Sequence, residues 1–205
     1  MGITISYRGS IEDLSLIEPI QQEVIKFCQS MNWKYRLTNN DMSKPFNARL
    51  VRSDKGANIK GHIPLRGISV DSDPDNETLC LLFNPQGKLT SFMREVYIHE
   101  GSIPPDQDWQ FVKTQFGTVD AHIAIVKLLQ SLKQSYIPNL EVNDDGEYWE
   151  TADRERLIAR RGYLFGMMTQ VEKALTSANF DDVTTQEELI QRIQKVIRNM
   201  NKKKR

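Results

Sequence analysis

Five side chains combine ligand-binding chemistry with a placement that secondary structure could exploit: His99, Lys113, Gln115, Asp120 and His122. Four of them lie in the run Lys113 to His122, KTQFGTVDAH, where a strand pattern gives way to a helix pattern. Such a junction turns backbone N–H groups outward, and those groups attract an anion. Lys113 and Gln115 alternate onto one strand face, where the plain expectation is a polar face in solvent and the functional one a contact with a ligand or a partner carboxylate. Asp120 and His122 add a carboxylate and an imidazole. His99, beside Glu100, would join them only if the strand end near Ile98 lay next to Gly117. No HExxH or comparable spacing links these groups, so no metal is expected and the plainest account of His122 is a neutral or solvent-facing helix histidine. The junction also lacks the second Gly and the Lys-Ser/Thr pair of a Walker A loop.

Other candidates carry less. The run DSDPDNE, Asp71 to Glu77, sets carboxylates at alternate positions like the start of a calcium loop. The sixth and twelfth positions, which need Gly and Glu, are Asn76 and Leu82, so a turn is expected. No Ser, Cys or Thr stands in a recognisable nucleophile setting and no Gly-rich dinucleotide fingerprint appears, so no catalytic residue and no cofactor is assigned. The basic end NKKKR suits the negative end of a helix dipole. A nucleic-acid role is not expected of that helix, because Glu187 and Glu188 dilute its charge.

The chain has 205 residues, 39% of them hydrophobic, enough to fill a core. Its 27 basic and 27 acidic residues cancel, which excludes a protein whose whole surface is a nucleic-acid or membrane footprint. Cys28 and Cys80 stand far apart in apolar runs and read as buried, reduced thiols. The N-terminus has no signal-peptide pattern and no apolar run reaches a membrane-span length of ~18 residues, so a cytoplasmic protein with no membrane partner is expected.

The elements that must position these groups follow from hydrophobic periodicity. Ile3, Ile5 and Tyr7 alternate as a strand. Ser10 stands where an N-cap belongs, and Leu14, Ile17, Ile20, Val24, Phe27, Cys28 and Met31 mark a helix that Pro19 moves to a start near Leu16 to Glu18. A strand follows at Trp33 to Leu37. Residues 40–61 form the most basic connection, expected to be functional, mobile or hiding a short strand such as Ala48 to Val51. Strands are then expected at His62 to Val70, Thr78 to Phe83, Lys88 to Met93 and Glu95 to Ile98, a meander whose apolar Leu79 to Phe83 lies centrally. The strand near Lys113 leads to the second helix and a last strand closed by Asn143 and Asp144.

Two stretches echo each other: ISYRGSIED before the first helix and VKTQFGTVD before the second. Each has Gly, then Ser or Thr, then a branched apolar residue, then an acid. The expected fold is α+β: a mainly antiparallel sheet with two βαβ-like units at its ends, both helices on one face, plus a C-terminal helical hairpin. Residues 1–150 make the sheet domain and 151–205 the two-helix segment, whose second helix opens on the capping run TTQEE.

The run KTQFGTVDAHIAIVKLLQSLKQSY with the later EYWET resembles a family of bacterial proteins of unassigned function, over residues 3–152. The resemblance implies a bacterial origin and names no reaction. With no complete catalytic constellation, the expectation is a binding or regulatory protein that meets a protein partner or a second copy through its C-terminal helices. The alternative is an enzyme acting on an anionic small molecule where the basic 40–61 loop meets residues 113–122.

Overall fold

In the computed structural model the first strand, β1 (Thr4–Arg8), sends Ile5 and Tyr7 into the core and keeps polar neighbours outside. The structure describes residues 2–54, 56–176 and 185–202. It divides into two compact units, Gly2–Leu157 and a second that begins at Ile158. The fold is α+β, with antiparallel strand pairing throughout the described residues.

In the first unit, β1 lies between β8 (Gln110–Lys113) and β9 (Glu141–Asp144), antiparallel to both. The two outer strands therefore run parallel, joined by helix α3 (Val119–Ser135) in a split βαβ arrangement. A second sheet has the order β2 (Lys34–Asn39), β5 (Arg66–Asp71), β6 (Leu79–Phe83), β7 (Leu89–Thr90). As its unbroken apolar run predicts, β6 lies inside this sheet and is buried at every position but Cys80. Tyr7 stitches the sheets together: its hydroxyl donates to the Cys80 carbonyl at 2.7 Å and accepts the Cys80 N–H at 3.1 Å.

Helix α1 (Ile17–Met31) and α3 pack into one core, where Ile20 and Val24 meet Leu128 and Leu132 and the inner residues of β5 and β6. The start of α1 agrees with Pro19, which falls in the first turn where its missing N–H costs nothing. Ser10 is not the cap. It forms a β-bridge with Lys88, flanked by bonds from Leu89 N to Gly9 O and from Ile11 N to Gly87 O, so the chain stays extended past β1. Asp13 instead caps a single 3₁₀ turn at Leu14–Leu16 by accepting the Ser15 N–H. The strands of the two echoing stretches are also paired differently: β1 and β2 lie in separate sheets, whereas β8 and β9 share β1.

Two local expectations are corrected. The basic 40–61 connection contains a hairpin, β3 (Arg49–Ser53) with β4 (Gly56–Lys60), rather than one short strand. The run expected as the strand Glu95 to Ile98 belongs to helix α2 (Phe92–His99), where Phe92 and Val96, four apart, pack with Leu82, Ile63 and Leu65 in a second apolar cluster. A single inward row at spacing four is a helical face, and the short strand pattern there was too brief to distinguish the two.

A one-turn helix, α4 (Tyr148–Thr151), precedes α5 (Arg154–Thr176). The C-terminal helix is α6 (Gln186–Lys202), and its capping box is formed: Thr185 N–H donates to Glu188 Oε2 at 3.3 Å and Glu188 N–H to Thr185 Oγ1 at 3.2 Å. Thr184 and the basic residues 203–205 lie outside the described residues. Among the described residues, nothing lies within 4 Å of where a side chain at Gly162 or Gly166 would stand. No described helix is long and apolar enough to cross a membrane.

Candidate functional site

The strand-to-helix junction at 113–122 is built around a buried polar line. Thr118 caps α3 by accepting the Ala121 N–H at 3.1 Å, which fixes the first turn and directs His122 inward. His122 is fully buried. Its Nδ1 lies 2.7 Å from Thr114 Oγ1 and its Nε2 lies 3.2 Å from Asp144 Oδ2. A carboxylate only accepts, so Nε2–H donates to Asp144, while the direction of the Nδ1–Thr114 hydrogen bond follows the protonation of Nδ1. Thr114 also contacts Ile3 O, at 3.0 Å through its backbone N–H and 3.4 Å through its hydroxyl. One network thus ties the chain ahead of β1, the end of β8, the first turn of α3 and the end of β9.

Asp144 anchors the far end. Its Oδ1 accepts the Gly146 N–H at 2.7 Å, and its Oδ2 accepts the N–H groups of Tyr148 and Trp149 at 2.8 and 3.1 Å. Burial pushes its carboxyl upward, but hydrogen bonding and attraction from His122, with the Gly146 and Trp149 N–H groups, outweigh burial and hold it below the usual carboxylate range. Gly146 seals the pair: a Cβ there would lie 3.0 Å from both Asp144 Oδ1 and His122 Nε2, and 2.6 Å from Leu157 Cδ1.

Hydroxyl, imidazole and carboxylate in this order are the parts of a nucleophilic relay. Here Thr114 and His122 are sealed from solvent, with 0% of either exposed, so no substrate atom reaches the hydroxyl in this structure. What the arrangement does is position: it holds α4 and the turn after β9 on the helix start.

The other predicted residues are placed as follows. Lys113 and Gln115 do converge, both lying beside Gly2, where a Cβ would meet Gln115 Oε1 at 2.5 Å and Lys113 Cε at 2.9 Å. Gln115 is buried, and Lys113 is half-buried with its ammonium 5.5 Å from the Phe116 ring centroid. Asp120 is exposed and paired with Arg154, which holds its carboxyl below the usual range by hydrogen bonding and charge. His99 does not join His122: it is exposed and stacks on Phe46, ring centroids 3.7 Å apart and planes 4° from parallel. Among the described residues no three His, Cys, Asp or Glu side chains come close enough to hold a metal.

The turn at Asp71 to Glu77 fills the anion position of the junction. Asp73 Oδ2 accepts the Thr118 N–H at 3.0 Å, so a carboxylate of the chain itself meets the positive end of α3. Sequence reasoning missed Thr114 and Asp144. Thr114 had a signal: it follows Val112 in the inward alternation of β8, opposite in parity to Lys113. Asp144 had none, because NDD reads as an ordinary strand terminator until the fold brings it under α3.

Compared with known proteins, the chain has no significant match to any family model, curated protein or solved structure.

Proposed function

We propose that this chain is a binding or regulatory protein of the bacterial cytoplasm that acts through protein–protein contacts made by its C-terminal helices. The supporting observation is the exposure of large apolar side chains there: Ile158, Tyr163, Phe165 and Met168 on α5, and Leu189 and Ile190 on α6. Such side chains gather at contact surfaces, because covering them removes apolar area from water. The free thiols Cys28 and Cys80 suit a reducing compartment.

The occupant we favour is a second copy. In the amino-acid sequence Leu189, Ile193, Val196 and Met200 are spaced four, three and four apart, an order that reads alike from either end. Glu187 and Glu188 stand at one end of the run and Lys202 at the other, so antiparallel pairing of two copies sets apolar on apolar and acid on base. The alternative, an enzyme for an anionic small molecule at the 113–122 junction, gains no comparable support. Asp73 already accepts the Thr118 N–H, and the basic hairpin contributes Leu50 and Ile59 to the α2 cluster.

Light scattering coupled to size exclusion tests the reading on the full chain. The expected result is a dimer that Leu189→Ser with Ile190→Ser converts to monomer. A native chain that stays monomeric at high concentration overturns self-association.

A further inference from the structure

The sheet of β2, β5, β6 and β7 turns Ile68, Val70, Leu79 and Leu81 to the main core, and its opposite face has two unlike halves. One half is covered where Leu82 packs under Val96 and Phe92. The other is open and forms a groove of about 570 Å³, within the ~300–1,000 Å³ range of small-molecule sites. Its floor is a cross-strand row, Arg36, Ser69 and Cys80, paired in register on β2, β5 and β6. The two short side chains in that row make the depression. Phe92 and Met93 of α2 and Phe111 of β8 line its walls. Phe111 is 63% exposed, the one exposed position of β8, whose next outward residue, Lys113, is half-buried.

The charges around the groove select its occupant. Arg36 donates to Asp71 Oδ2 at 2.7 Å, and Glu77, on the rim, accepts the Lys113 N–H at 3.0 Å through Oε2. Burial keeps the Cys80 thiol protonated at neutral pH, so the floor presents a neutral sulfur and a hydroxyl. Sulfur and aromatic walls both favour the face or edge of a ring. We infer that this groove binds an uncharged ligand with a planar aromatic ring, the ring lying against Phe111 and the α2 wall and its polar edge on the Ser69 hydroxyl. An aromatic carboxylate binds worse, because Asp71 already balances the Arg36 charge and the Glu77 carboxylate on the rim repels a second anion. All of the residues that line the groove belong to the unit Gly2–Leu157.

Amide chemical shifts of the full chain, titrated with 2-naphthamide and separately with 2-naphthoate, test this. The two probes share a ring and differ in charge. The amide is expected to shift Ser69, Cys80 and Phe111 saturably, the carboxylate to bind about tenfold more weakly or not at all. Phe111→Ala, a change at an exposed position that leaves the remaining spectrum in place, weakens the amide about tenfold. The inference is overturned by shifts that avoid the groove, by an unchanged affinity in Phe111→Ala, or by the carboxylate binding as tightly as the amide.

Discussion

The junction after β1 and the junction after β8 share Gly, a hydroxyl residue, a branched apolar residue and an acid, and they are followed by helices of similar length. After β8, Thr118 caps α3 at once and the fifth residue beyond the Gly, His122, is sealed in a polar network. After β1, Ser10 stays in an extended bridge and a 3₁₀ turn intervenes. There the fifth residue beyond the Gly, Leu14, is 36% exposed. Neither Gly is needed for a left-handed backbone; each is needed for close approach. A Cβ at Gly117 would meet Asn76 Oδ1 at 2.1 Å, and one at Gly9 would meet Ile137 Cγ2 at 2.9 Å. What lies across from a junction, more than its own residues, sets what it does.

The sharpest test replaces the two corresponding residues. His122→Ala leaves Asp144 buried without its imidazole partner and takes the ring away from Thr114, and is expected to cost about 3–5 kcal/mol in urea unfolding. Leu14→Ala, at an exposed site, is expected to cost less than about 1 kcal/mol. Equal losses would erase the distinction between the junctions.

Acid should act on the second junction in the same sense. Asp144 titrates lower folded than unfolded, so its contribution is complete above the unfolded value of about 4 and is lost as pH falls through the folded value. Urea midpoints measured between about pH 5 and pH 2 should therefore fall more steeply in the native chain than in His122→Ala, which lacks the partner that lowers Asp144. Parallel curves would detach the carboxylate from the network.

The smallest expected difference concerns the hydroxyls. Thr118→Ala removes a working N-cap and should cost about 1 kcal/mol. Ser10→Ala removes an exposed hydroxyl that accepts one bond, from Asn139 Nδ2 at 2.9 Å, and should cost no more than about 0.5 kcal/mol. Thermal unfolding of the two variants side by side reads this directly, and a reversed order would restore Ser10 as a cap.

Much of the first unit was legible beforehand where one periodicity ran long enough. The alternation of Ile3, Ile5 and Tyr7, the stripes of α1 and α3 and the unbroken Leu79 to Phe83 all describe elements that exist. The stretch at α2 was misread because a few apolar residues between turns fit either period, and its packing against Leu82 settles which one holds. Lys113, Gln115, Asp120 and His122 were singled out from type and spacing, and three of them have roles that spacing could not supply. Gln115 is buried beside Gly2, Asp120 pairs with Arg154, and His122 lies between Thr114 and Asp144.

By itself the sequence determined which segments are strands and helices over most of the chain, because backbone geometry turns a local repeat of apolar residues into a buried face. It determined the start of α1 just before Pro19 and the capping box at Thr185 for the same local reason. Tertiary structure alone decided that Asp73 occupies the start of α3, that Asp144 lies under His122, and that β1 parts β8 from β9. These contacts join residues 22 to 139 positions apart in the chain. Their energies depend on burial and on paired hydrogen-bonding geometry, quantities that exist only once the chain has closed around them.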